Sequence, residues 1–333
     1  MISYDKIETI LIIQTASIGD VVLATALLEQ LHDALPMAKI DFLVKNGMQP
    51  LFDKHPFVNQ LIVWNKKKKI TSWLQLLKTV RKKHYNLVVD IQRFLLTGLL
   101  TVLSGADETR GFDKNPCSMF FSKAVKHTVA GDDSEHVVSE IERNASLVSD
   151  IVDLKPSKPK VYPPTVDMAK LNITSPYYTI SPGSLWFTKR LPMDKWKDLL
   201  SRMPHEATVV ILGDKSDGPR AKEIIALSQR RGIVDMTDKF TLLQSAEVMR
   251  GAVMNYVNDS APLHLASAVN APVTAFYCST IPYYGFTPTS DISHIVENKN
   301  CPCRPCGLHG RKQCPKKHFR CANDIDIEGV PLA

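Results

Sequence analysis

The chain has 333 residues, 44% hydrophobic and 23% charged, an ordinary globular composition with room for two domains of roughly 150 residues each. Its formal net charge of +7 suits anionic or phosphorylated partners, or only solubility. The longest uncharged apolar stretch, Phe94–Ala106, is shorter than the ~20 residues that span a bilayer, so a membrane-spanning chain is excluded, and no repeat or nucleic-acid-binding signature is present.

Met1–Ile10 carries Asp5 and Glu8, and the apolar run after it breaks at Asp20. No secretory signal is read there, and a cytoplasmic protein is expected. Thr9–Gln14 is short and rich in β-branched residues, as suits a buried parallel strand. The turn Thr15–Asp20 leads into a helical pattern, with Val21, Ala24, Leu27, Leu28 and Leu31 on one face, which stops before Pro36. Ile40–Val44, Leu61–Trp64 and Leu87–Asp90 read as further strands. Strands alternating with helices at this spacing predict an α/β domain with a doubly wound parallel sheet.

Ligands of open α/β sheets bind beyond the carboxyl ends of the strands. Gly19 and Asp20 fall at such a place: Gly19 to let the backbone turn closely, Asp20 as a helix cap or as a carboxylate facing the crevice. No G-x-G-x-x-G follows, so the dinucleotide fingerprint is missing. The run Lys66–Lys69 reads as a solvated loop, with a phosphate or membrane-surface contact as the alternative.

Lys155–Pro164 holds four prolines among lysines and reads as a linker, which predicts domains over residues 1–160 and 165–333. The second series has strands at Tyr177–Ser181, Thr208–Leu212, Ile233–Asp235, Ala252–Val257 and Val273–Phe276. Its helices run through Trp196, Leu199 and Leu200, and over Thr241–Arg250. Two such domains predict a deep cleft between them. Asn258, Asp259 and Ser260 precede another helix, with Pro262 in its first turn. The N–H groups and dipole of that helix start would receive an anion, and Asp259 could accept from sugar hydroxyls; a capped helix without a ligand is the plainer alternative. Lys189, after the Gly183-Ser184 turn, is either a surface lysine or an ammonium that neutralises a diphosphate.

In order, Ile18-Gly19-Asp20, Asp90-x-Gln92, Arg110-Gly111-Phe112, Pro182-Gly183-Ser184, Lys189-Arg190-x-Pro192 and Asn258-Asp259-Ser260-x-Pro262-x-His264 resemble glycosyltransferase family 9, the lipopolysaccharide heptosyltransferases, from about Thr9 to Asp326. The resemblance implies a GT-B fold: two Rossmann-like domains facing across a cleft, acceptor on the N-terminal side and nucleotide-sugar on the C-terminal side. It implies an inverting transfer from ADP-heptose to the lipid A–core acceptor, on Kdo or heptose, at the cytoplasmic face of the inner membrane, with the enzyme cytoplasmic or peripheral there. It makes Asp20 the general base, Lys189 and Ser184 diphosphate contacts, and Asp259 the heptose ligand. Ser260, Ala261 and His264 share the nucleotide-sugar turn, and Asp217 lies near the ribose or base. Arg93 is suited to an anionic acceptor group through its fork of donors.

Such enzymes need no bound metal for transfer, and Asp324-x-Asp326 is poorly placed for a metal motif. The chain departs from the family pattern at Ala261, at Cys278–Pro282 and at Leu96. These departures keep open a same-fold transferase using another nucleotide-sugar, or a non-catalytic nucleotide-sugar- or metal-binding module. The Cys-rich tail 301–321 reads two ways: a structural zinc on Cys303, Cys306, Cys314 and Cys321, or free or redox-paired thiols.

Overall fold

A computed structural model describes residues 6–67, 69–129 and 137–332. Lys68, the side chain of Lys69 and the first residues of the opening stretch lie outside the described residues. The chain forms two compact units, Met1–Tyr162 and Pro163–Ala333.

The first unit holds a six-stranded sheet of β1 (Thr9–Ile13), β2 (Lys39–Lys45), β3 (Val58–Trp64), β4 (Leu87–Asp90), β5 (Glu108–Phe112) and β6 (Lys123–Val125), in the order β3-β2-β1-β4-β5-β6. All pairings are parallel. The central β1 reads TILII and is buried along almost its whole length, because both of its edges are paired and both faces are covered. Its helices are α1 (Ile18–Ala34), α2 (Lys69–Lys83), α3 (Leu95–Val102) and α4 (Glu140–Ser146). The apolar stretch Phe94–Ala106 thus becomes α3, and the lysine run leads directly into α2.

α1 is buried on nearly every side, polar Thr25, Glu29 and Gln30 included. The proline-rich segment supplies that cover. Gln30 Nε2 donates to the Lys155 carbonyl (3.0 Å), Lys160 N–H to Thr25 Oγ1 (2.9 Å) and Tyr162 O–H to Glu29 Oε1 (2.9 Å). The expected linker is therefore docked as far as Tyr162. Its prolines bring no N–H to satisfy, and these three polar groups find partners on α1.

The second unit repeats the plan with β7 (Tyr177–Ser181), β8 (Thr208–Ile211), β9 (Ile233–Asp235), β10 (Asn255–Asn258), β11 (Val273–Tyr277) and β12 (Ser293–Glu297), ordered β12-β11-β10-β7-β8-β9 and parallel throughout. Its helices are α5 (Met193–Arg202), α6 (Gly218–Ser228), α7 (Leu242–Arg250), α8 (Ala261–Ala268) and α9 (Arg320–Asn323). β10 begins three residues later than the apolar pattern suggests. Ala252 N–H bonds back to the Met249 carbonyl at the end of α7, and Val253 N–H then reaches the Tyr177 carbonyl of β7 just ahead of the strand.

Read outward from the middle, both sheets have the strand order of doubly wound nucleotide-binding domains, which reverses between β1 and β4 and again between β7 and β10. Among the described residues no helix is long and apolar enough to cross a membrane.

Trp196 of α5 is fully buried in the second unit's core, edge-on to Phe276 at 5.5 Å between ring centroids. Trp196→Ala is expected to cost about 3–5 kcal/mol of that unit's stability, because the cavity cannot fully collapse. Urea unfolding followed by circular dichroism reads the change.

Candidate functional site

In the first unit the order reversal places the loops after β1 and β4 side by side. Gln92 Nε2 donates to Gln14 Oε1 across the gap. Asp90, wholly buried, accepts from Gln92 N–H (2.9 Å) and from Asn115 Nδ2 (3.2 Å), and the hydroxyls of Thr97 and Thr101 also reach it. Burial still dominates and pushes its carboxyl up to about 7. Two buried polar atoms here have no hydrogen-bond partner among the described residues: Gln92 Oε1 and Thr15 Oγ1. An edge with unpaired buried polar atoms is suited to a polar ligand.

Asp20 is the third residue of α1. Its Oδ2 accepts from Ser17 N–H (3.0 Å) and Ser17 Oγ (2.5 Å), so Ser17 is the N-cap and Asp20 the reciprocal member of a capping box. Gly19 is buried inside the first helical turn, outside the left-handed region, so its expected role in a close turn is not what the backbone shows. Arg93 is exposed directly after Gln92.

Three residues here had no functional role in the sequence pattern. Lys66, read as part of a solvated loop, donates from Nζ to the Thr15 carbonyl (3.0 Å) and lies over the Trp64 ring at 5.0 Å. Burial, then Lys45, lowers its ammonium below the usual range. Glu140, at the start of α4, bonds Arg143 Nε (2.8 Å). Its carboxyl is raised first by burial and further by the charge of Asp20, against the pull of Arg143 and Arg93. His127 is held down at about 4 by burial, then by Arg93 and Arg143. Asp20, Arg93, Glu140 and His127 thus share one electrostatic neighbourhood, which no spacing in the sequence reveals.

In the second unit the reversal brings Pro182-Gly183-Ser184 against Asn258-Asp259-Ser260. Asn258, fully buried, donates from Nδ2 to the carbonyls of Pro182 (2.9 Å) and Gly183 (3.2 Å) and accepts from Leu191 N–H (2.9 Å). Asp259 Oδ2 meets Lys189 Nζ at 2.7 Å and accepts from Thr280 Oγ1 at 2.5 Å. Ser260 is the N-cap of α8 in extended backbone, without a side-chain cap bond, and Ala261 and Pro262 follow in the first turn. His264, further along α8, is buried near the Phe286 ring at 6.2 Å.

Asp217 closes the loop after β8, accepting from Asp214 N–H at 3.1 Å. Burial raises its carboxyl, with Arg220 and Arg190 opposing. Its side chain occupies the space over Gly183 and Gly213: a Cβ at Gly183 would lie 2.2 Å from Asp217 Oδ1. Glycine is required there by close approach. Ser184 lies alongside, its carbonyl accepting from Arg190 Nε (2.8 Å). The expected residues Ser184, Lys189, Asp217, Asp259, Ser260 and Ala261 thus come together at one end of this sheet, with Arg190 and Arg220 as additional cations.

The tail braces this end. Arg304 binds the Thr280 carbonyl and Glu297 through Nη2, both at 2.6 Å. Arg311 N–H donates to Thr188 Oγ1 (2.8 Å), Cys306 N–H bonds the Ser279 carbonyl, and Gly310 backbone packs on the Trp186 and Lys189 side chains. All seven cysteines are free thiols. Cys303 Sγ lies 3.6 Å from Cys301 Sγ and 3.8 Å from His318 Nε2. Cys321 is buried beside Ala322, its thiol pushed up to about 12. Among the described residues no group of three or more His, Cys, Asp or Glu is arranged to hold a metal ion. The expected zinc set Cys303, Cys306, Cys314 and Cys321 is not such a group, although Cys306 Sγ lies 3.6 Å from the Cys303 carbonyl and the tail thiols are near enough to raise one another.

Two doubly wound units, each with polar groups gathered at its order reversal, are the architecture of the GT-B class of glycosyltransferases. The family model described as glycosyltransferase family 9 (heptosyltransferase) matches residues 73–318, and the chain belongs to that family. It is 27% identical over 316 residues to lipopolysaccharide heptosyltransferase 1 of Pseudomonas aeruginosa, covering 89% of this chain and 85% of that one. Its fold is similar to that of the E. coli ADP-heptose lipopolysaccharide heptosyltransferase II (TM-score 0.73, 19% identity, 95% and 98% of the two chains covered). It is also similar to E. coli heptosyltransferase WaaC with ADP-2-deoxy-2-fluoro heptose (TM-score 0.67, 19% identity, 86% and 92% covered).

Asp90 predicts a pH dependence. Folding raises its carboxyl from 3.8 to about 7, so between those values the native state holds a proton that the unfolded chain has lost. Its contribution is full below about pH 4 and falls as pH rises to about 7. Relative to Asp90→Asn, the wild type is expected to lose up to about 4 kcal/mol across that range, at ~1.4 kcal/mol per unit. Denaturant midpoints of both proteins at pH 4.5 and 7.5 measure it.

Proposed function

We propose that the protein transfers heptose, with inversion, from ADP-heptose to the lipopolysaccharide inner core, on a Kdo or heptose hydroxyl, working as a cytoplasmic enzyme peripheral to the inner membrane. The observation that carries this reading is the Lys189–Asp259–Thr280 cluster beside Gly183 and the start of α8, in a family 9 chain. In this reading the second unit, residues 165–333, holds the donor and the first, residues 1–160, holds the acceptor.

Lys189 then serves the diphosphate. Asp259 holds its ammonium until the donor arrives, and afterwards Asp259 accepts from heptose hydroxyls. Ser184, Ser260 and Ala261 offer backbone N–H groups and hydroxyls to phosphate, with the positive end of α8 behind them. His264 supports that turn from within α8, and Asp217 accepts from the ribose. In the first unit Gly19 keeps the start of α1 slim, and Arg93 pairs with an anionic group of the acceptor. Asp20 Oδ1, the oxygen not used in the capping box, takes the acceptor hydroxyl's proton as that oxygen bonds the anomeric carbon. The bond from that carbon to the diphosphate breaks, and ADP leaves against Lys189.

A second reading has one specific observation behind it. Thr280, which touches Asp259, lies in the Cys278–Pro282 loop that departs from the family pattern, and Ala261, a second departure, begins α8 two residues after Asp259. Another nucleotide-sugar in the same site follows if UDP- or GDP-sugars outcompete ADP-heptose in binding.

The test is ADP release from ADP-heptose with a deeply truncated core acceptor. Asp20→Asn keeps an oxygen for Ser17 but cannot act as a base, so it separates cap from base. The expected outcome is a turnover loss of about 10²–10⁴-fold for Asp20→Asn with ADP affinity retained. Asp259→Ala should weaken both turnover and donor binding. Full turnover in Asp20→Asn would leave Asp20 as a cap alone.

A further inference from the structure

The first unit carries a surface that the proposed transfer does not use. Among its exposed large apolar side chains are Ile70 and Leu74 on α2, Phe94 and Leu95 at the start of α3, and Met119 and Phe120 in the loop after β5. Met119 is 81% exposed and Ile70 75%. These three segments adjoin. Trp73 Nε1 of α2 donates to the Leu96 carbonyl of α3, and the Cys117 thiol, next to Met119's turn, faces the Leu95 carbonyl.

Such a concentration of exposed apolar groups is unusual on a soluble face and marks a contact surface. Charge indicates the partner. α2 reads KITSWLQLLKTVRKK and contains no acidic residue. Lys78, Arg81 and Lys82 are exposed beside Leu74 and border a shallow depression with Leu77. Lys83 is committed to Asp41 and is not part of this set. A basic helix with exposed aliphatic side chains on the same outward face suits the plane of an anionic bilayer, where the apolar groups enter the headgroup boundary and the cations meet phosphate.

We infer that this face, formed by α2, the start of α3 and the Met119–Phe120 turn, is a docking surface for a membrane carrying anionic phospholipids. The placement deepens the proposed function and rests on it for one point only: Phe94 follows Arg93 and Gln92 directly, so a lipid-linked acceptor would present its sugar to the first unit's switch point from the docked side. The bilayer contact itself stands without that reading.

The experiment is co-sedimentation of the full chain with vesicles of phosphatidylglycerol and phosphatidylethanolamine, and separately of phosphatidylcholine alone. Binding is expected to the anionic vesicles and to weaken with salt. The Lys78→Ala/Arg81→Ala/Lys82→Ala variant should partition about a hundredfold less into them, from the usual contribution of a cation near an anionic surface. Met119→Ser/Phe120→Ser should lower binding to both vesicle types. Transfer to a soluble, deacylated acceptor should be unchanged in both variants. If no donor supports transfer while vesicle binding and its losses hold, the transfer reading fails and the docking surface stands. Absence of vesicle binding, binding indifferent to these substitutions, or a dimer in sedimentation velocity that Met119→Ser/Phe120→Ser dissociates in a chain that ignores vesicles would overturn the inference.

Discussion

In each half of the chain, two neighbouring central strands send their following loops in opposite directions, and this reversal is the constraint on which the functional ends depend. Where loops diverge, the strand ends between them are left uncovered, and backbone and side-chain polar groups must be satisfied by side chains rather than by a ladder. Between β7 and β10 that task falls to Asn258, whose carboxamide makes three bonds to the two ends of the loop between β7 and α5 and so fixes Gly183 and Leu191 together. Between β1 and β4 it falls to Asp90, Gln92, Gln14 and Asn115. The two ends are built alike: among the described residues each keeps unpaired buried oxygens, Gln92 Oε1 and Thr15 Oγ1 in the first unit and Ser181 Oγ in the second, and the second adds a gathering of cations.

The pairing of Lys189 with Asp259 illustrates how two charges are held together at a strand end. Both side chains are largely removed from water, and each would be costly alone. Together with Thr280 they offset one another, while the lysine stays near the surface. The cysteine-rich tail belongs to this arrangement mechanically. Arg304 and Arg311 tie it to the Thr280 and Thr188 loops, so it sets the walls on either side of Lys189. Its density of thiols suggested a metal from spacing alone; folding gathers these thiols near one another, yet among the described residues they do not form a metal-ligand group.

What the sequence by itself determined was the alternation of buried strands and helices. Runs such as TILII and LVVD can only be satisfied between two paired neighbours, and the capping residues at Ser260 and Thr241 mark where helices begin. It also determined that Pro182-Gly183-Ser184 and Asn258-Asp259-Ser260 fall directly after strands of the second sheet, at the end where they meet. The tertiary structure alone decided the rest. Lys66 looked like one of several solvated lysines until folding set it on the Thr15 carbonyl, and Glu140 gained its place near Asp20 only when α4 packed on α1. The weakly patterned segments 69–83 and 293–297 became α2 and an edge strand for the same reason. Local pattern records what a segment buries; which distant charges meet at a strand end depends on strand order, and strand order is a property of the whole sheet.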